Sequence, residues 1–129
     1  MVIDTSALLA ILFDEPLASE VEAAIEADPV RLLSAGSALE TMIVIDARYG
    51  EPGGRELDLL IHRARLDVVP FDVEQVEAAR RAHHRFGKGR HRAGLNFGDC
   101  FAYALARTSA EPLLFVGEDF SSTDVESVL

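Results

Sequence analysis

The chain opens Met1-Val2-Ile3-Asp4-Thr5-Ser6-Ala7-Leu8-Leu9, and the reading of this stretch decides the fold. A short apolar run ends on a carboxylate and passes at once into a hydroxyl pair and a helical pattern. Physically this is a buried strand, Val2 to Asp4, whose last residue delivers an acid to the carboxyl edge of a sheet. Ser6 is placed to cap the following helix or to orient Asp4. Open α/β sheets carry their chemistry at that edge.

Working outward, the alternation continues. Ser6 to Phe13 reads as a short helix broken around Asp14-Glu15-Pro16, and Leu17, Val21, Ala24 and Ile25 recur at helical spacing up to Asp28-Pro29. Arg31 to Ser34, Asp67 to Pro70 and Leu113 to Val116 read as further strands. Leu39, Met42, Ile43 and Ala47 mark one more helical face, and Leu57, Leu60, Ile61 and Ala64 another. Between them Gly50-Glu51-Pro52-Gly53-Gly54 reads as a clear break. Asp72, with Gln75 three positions on, has the pattern of a capping box, and Asp99 to Arg107 reads as the last helix. Strands alternating with helices predict a mainly parallel sheet covered on both faces. With 129 residues and no linker or repeat, residues 1–129 are expected to form one domain.

The net charge of −10 argues against nonspecific nucleic-acid binding, because phosphate contacts need cations. Its distribution matters more. Half of the 12 cationic residues lie between Arg80 and Arg92, joined by His83, His84 and His91. That segment is either a solvated face or the handle for a polyanion. The single Cys100 provides neither a disulfide nor a cysteine metal site. No apolar stretch reaches the roughly 20 residues of a membrane helix, and no basic and apolar leader pattern is visible, so a cytoplasmic location is expected.

Four acids stand out: Asp4, Glu40, Asp99 and Asp119. Three fall at strand-to-loop or loop-to-helix junctions, and Glu40 sits among Leu39, Met42 and Ile43 on a helix expected to pack inward. Singly, Asp4 or Asp99 can be a helix cap, Glu40 a solvated or salt-bridged residue, and Asp119 a plain turn residue. Together, carboxylates converging without cations repel one another and are stable when a hard divalent ion neutralises them. Carboxylate and water ligands select Mg²⁺ or Mn²⁺ over zinc.

In order and spacing, Asp4-Thr5-Ser6-Ala7-Leu8, then Glu40, then Asn96-Phe97-Gly98-Asp99-Cys100, then Gly117-Glu118-Asp119-Phe120 resembles a PIN-domain ribonuclease. In length the chain looks like the VapC toxins of bacterial toxin–antitoxin pairs. The resemblance implies a PIN-like three-layer α/β/α sandwich and a Mg²⁺-dependent endoribonuclease, with Mn²⁺ as a substitute, that cleaves RNA by metal-activated water. It implies that Asp4 and Asp99 hold the main ion, that Glu40 and Asp119 complete the acidic pocket, and that Ser6 orients ligands from behind. Asp124 is a possible fifth acid, since Gly117 to Asp124 resembles one VapC subgroup. Arg85, Lys88, Arg90 and Arg92 would then form an RNA-backbone rim. A VapB-type antitoxin is the implied partner, docking an amphipathic helix in a groove between Pro16–Ala27 and Ala38–Arg48, and a homodimer is expected.

Other readings are weaker. A receiver or haloacid-dehalogenase-type phosphotransfer domain needs a lysine at the phosphoryl group, and the phosphatases a second Asp two residues after the first. Here Ser6 occupies that position and Lys88 is the only lysine, in a basic loop. Gly87-Lys88-Gly89-Arg90 lacks the phosphate-loop pattern, and Cys100 has no evident activating base. A non-catalytic PIN-like binding module would be expected to have lost acids that remain here.

Overall fold

The computed structural model describes residues 1–129. Its elements follow in the order β1 (Val2–Ile3), α1 (Thr5–Leu12), α2 (Ala18–Ala27), β2 (Leu32–Ser34), α3 (Ala35–Tyr49), α4 (Glu51–Arg63), β3 (Asp67–Val69), α5 (Val73–Phe86), α6 (Phe97–Ser109) and β4 (Leu113–Leu114). All strand pairs are parallel and the sheet order is β3-β2-β1-β4. Each strand falls where the apolar runs predict it.

Side chains alternate across the sheet with the period of two that a strand imposes. Ile3, Leu33 and Leu114 face one core with Ala7 and Leu8 of α1, Val21 and Ile25 of α2 and Leu57 of α4. Val2 and Leu113 face the other with Ala82 and Phe86 of α5 and Ala102, Tyr103 and Leu105 of α6. The result is the expected three-layer sandwich. The outer edge of β4 is covered by the C-terminal residues, where Leu113 N donates to Glu126 O and Val128 N to Leu113 O, so this edge is not left open to pair with another chain.

Two local expectations need correction. The segment after Gly50 is not an extended break: only Gly50 departs from helical geometry, at φ 63°, and Glu51-Pro52-Gly53-Gly54 already forms the first turn of α4. Proline is preorganised for that position. Gly53 is required by packing, since a Cβ there would lie 2.9 Å from Ile45 and 3.0 Å from Tyr49 of α3. The expected groove between Pro16–Ala27 and Ala38–Arg48 does not form either. Helix α1 packs against both α2 and α3 and stands between them. A cleft of about 810 Å³ opens instead among α1, α2 and α4, floored by Ile11, Leu12, Ile25 and Leu60.

Candidate active site

From β1 the chain crosses to β2 and β3 on one side and returns to β4 on the other, so the topological switch point lies between β1 and β4. Ligands of open α/β sheets bind in the crevice at that point. Asp4 stands there. Its backbone N–H donates to Leu114 O at 2.9 Å, and its side chain caps α1. Asp4 Oδ2 accepts from Ser6 N at 3.0 Å and from Ser6 Oγ at 2.6 Å. Ser6 Oγ in turn accepts from Val116 N at 3.0 Å. One hydroxyl thus ties the acid that follows β1 to the end of β4.

Asp99 arrives on α6 as the third helical residue. Its Oδ2 accepts from Asn96 N at 3.0 Å, while Asn96 Oδ1 accepts from Asp99 N at 3.0 Å, a reciprocal capping box. Glu40 reaches the same helix terminus from α3. Its carboxylate lies against Gly98: a Cβ on Gly98 would sit 1.7 Å from Glu40 Oε2 and 2.6 Å from Cδ. Asp119 follows β4 on an exposed turn whose neighbour Phe120 is buried in the core.

The four acids act on one another electrostatically. Burial pushes Asp4 up to about 6, against the capping bonds from Ser6, and the charges of Asp99 and Glu40 raise it further. Burial likewise pushes Asp99 up to about 6, against the bond from Asn96, with Asp119 and Glu40 raising it further. None of the four is ion-paired to a cationic side chain. In both Asp4 and Asp99 the capping bonds fall on Oδ2, leaving Oδ1 without a protein donor.

This oxygen-only donor set fits a hard divalent cation. No group of three or more His, Cys, Asp or Glu side chains stands close enough to hold one ion.

Asp124 does not join the series. Tyr103 OH donates to its Oδ1, Arg85 lies 3.2 Å and Arg107 3.9 Å from its Oδ2, and it is not among the charges that raise Asp4 or Asp99. Burial and the bond to Asp124 push the Tyr103 phenol up to about 12. Two guanidiniums and a phenol thus hold this carboxylate, which ties the C-terminal segment to α5 and α6.

Arg85, Lys88, Arg90 and Arg92 are all exposed, at the end of α5 and on the loop leading to Asn96. Arg85 differs from the others, being paired with Asp124 and lying 4.6 Å over the Phe86 ring.

Two contributors were not singled out from sequence. Asn96 had a legible signal, an Asn three residues before an acid at a helix start. Gly98 had none, because its role depends on a side chain nearly sixty positions away.

The chain matches the family model for the PIN domain over residues 1–126. It is 62% identical over 128 residues to ribonuclease VapC30 of Mycobacterium tuberculosis, covering 99% of this chain and 98% of that protein. It is 63% identical to a ribonuclease VapC of Mycolicibacterium smegmatis, covering 99% of each. Among solved structures, VapC20 of Mycobacterium tuberculosis, described as a sarcin-ricin loop cleaving toxin, superposes with a TM-score of 0.77 at 16% identity, over 96% of this chain and 95% of that one. VapBC2 from Rickettsia felis, bound to a promoter DNA fragment, gives 0.74 at 14% identity, over 98% and 95%. With its acids gathered at the switch point and its whole length matched, the chain belongs to the PIN-domain family, among the VapC ribonucleases.

Proposed function

We propose that this protein is a Mg²⁺-dependent endoribonuclease, the toxin of a toxin–antitoxin pair. The observation that carries the reading is the meeting of Asp4 and Asp99 at the β1/β4 switch point, each raised by burial and like charge and each with Oδ1 free of protein donors. Asp4 and Asp99 would hold the ion, with Mn²⁺ able to substitute. Bound there, a divalent ion lowers the pKa of water and offsets charge on the scissile phosphate. Ser6 and Asn96 hold the two carboxylates in register, and Glu40 and Asp119 complete the pocket, positioning water or a second ion. Phosphotransfer gains no support, since Lys88 is exposed on the loop before α6.

The test is incubation of purified protein with total cellular RNA in Mg²⁺, Mn²⁺ or EDTA, with mapping of new 5′ ends. New ends are expected with either metal and none in EDTA. Cleavage undiminished by EDTA would overturn the metal assignment.

For the RNA rim, Lys88, Arg90 and Arg92 carry the prediction. Reversing all three to Glu should flatten the salt dependence of binding, by about 0.7 in log–log slope for each lost contact to a single strand. Arg85→Glu should instead lower stability, because it faces Asp124 with like charge. An unchanged slope in the triple variant would make the loop a merely solvated one.

A VapB-type antitoxin is the expected partner. The cleft among α1, α2 and α4 offers an apolar floor for an amphipathic helix, and its lining carries both acidic (Glu22, Glu26, Glu56) and basic (Arg31, Arg63, Arg65) side chains for polar pairing. A homodimer is also part of this reading, for which Leu39 and Ile43, each 60% exposed on one face of α3, provide apolar surface.

A further inference from the structure

A second cleft, of about 530 Å³, lies between α5 and α6, with Phe97 and Cys100 of the α6 N-terminus in its lining, and takes no part in holding the acids. Its walls include Phe71, Phe97 and Phe101, with Arg80 and His83 contributed by α5. No carboxylate lines it, in a chain that has 22 of them and a net charge of −10. Arg80 forms no ion pair.

Phe97, Gly98 and Asp99 are the first three residues of α6, so ring and acid start from one helical turn but project from different sides of it. Phe97 is 81% exposed, more than any other large apolar side chain of the molecule. Phe97 is not isolated: with Phe71, Val76 and Phe101 it forms one contiguous apolar surface, the kind that marks an interaction site. It is not loose. Phe101 meets it edge-on at 5.0 Å between centroids and meets Phe71 likewise at 4.8 Å. Phe101 itself is seated on Gly36 of α3, where a Cβ would fall 2.2 Å from the ring. The aromatic platform is therefore held by packing while the Phe97 ring stays open to solvent.

We propose that this cleft takes an unpaired RNA base adjoining the scissile phosphate, stacked on Phe97, with Arg80 and His83 meeting the neighbouring phosphate. The proposal rests on the ribonuclease reading and adds to it the way a single strand is gripped. A nucleobase supplies a flat aromatic face and its backbone an anion, which is the combination this acid-free cleft complements. A second copy of the chain would cover the rings equally well. It would have to bring a carboxylate to Arg80, whereas RNA brings its phosphate wherever it brings a base.

The chain contains no tryptophan, so Phe97→Trp places a sole indole on the platform. In an Asp99→Asn background, which keeps RNA intact, this variant is titrated with single-stranded oligoadenylate, oligouridylate and an abasic oligomer of equal length. Quenching by the two base-bearing strands and not by the abasic one is expected. In the active protein, Phe97→Ala should raise KM for RNA about ten- to a hundredfold, with the loss concentrated in KM, and Phe97→Trp should restore most of it. Equal quenching by the abasic strand, or an unchanged KM in Phe97→Ala, would overturn the proposal. So would a wild-type dimer that Phe97→Ala dissociates at constant KM, which would assign the surface to a second copy. If wild-type protein cleaves RNA while these results are negative, the ribonuclease reading stands and only the base site falls. A wild type that cleaves no RNA with any divalent ion removes both.

Discussion

Asp99→Asn should cut RNA cleavage roughly a hundred- to ten-thousandfold, the scale of the several kcal/mol that metal-assisted stabilisation of the reacting phosphate supplies. The same substitution should stabilise the metal-free fold. Asp99 is 8% exposed, and burial followed by the charges of Asp119 and Glu40 pushes it up to about 6 from an ordinary 3.8. A carboxyl whose folded pKa is raised binds its proton more tightly folded than unfolded. Its contribution to stability is therefore greatest below pH about 4, declines between about 4 and 6, and remains lost above 6. Asn keeps the volume and can still accept from Asn96 N, so the capping box survives while the charge goes. The gain at pH 8 in EDTA should be about 1–3 kcal/mol and should shrink at pH 5. Activity of the wild type should fall below pH about 6, as protons compete with metal for Asp4 and Asp99. Thermal melts in EDTA at the two pH values, with cleavage assays alongside, check both halves. Retained wild-type cleavage by Asp99→Asn would refute the site assignment.

Gly98→Ala should lower kcat/KM about ten- to a hundredfold, the usual cost of disturbing a group that supports a metal site. The added Cβ would occupy the place of the Glu40 carboxylate, 1.7 Å from Oε2. That carboxylate is the free end of a flexible side chain, so it moves aside and the backbone does not. Stability should change by less than about 1 kcal/mol. A double-mutant cycle separates this cause from general damage. In a Glu40→Ala background the clash is absent, and Gly98→Ala should cost little more. Full additivity of the two substitutions would mean that Gly98 acts on something other than Glu40.

Much of the fold was legible because it is local. Apolar runs of two to four residues, each set between helical patterns, announce short buried strands, and Asp4 follows the first of them whatever the rest of the chain does. Asp99 was equally plain, since an acid at the start of a helix has few other places to be. Ser6 could be assigned an orienting role because a hydroxyl two residues past an N-cap is within bonding reach of it.

What was not legible depends on which helices touch. Glu40 looks like any acid on an amphipathic helix until α3 crosses α6 closely enough for its carboxylate to rest on Gly98. That Tyr103, Arg85 and Arg107 surround Asp124 is likewise invisible until α5 and α6 bring them to it. Proline and glycine after Gly50 suggest a loop, yet the close approach of Ile45 and Tyr49 turns Gly53 into a packing residue inside a helix. Composition and period specify each element and the residue at its end, because hydrogen bonds within an element and the alternation of its faces depend only on near neighbours. Helix crossings depend on the fit of ridges and small residues between segments far apart in the chain, and it is those crossings that bring Glu40 of α3 to Gly98 of α6 and close the aromatic cleft between α5 and α6.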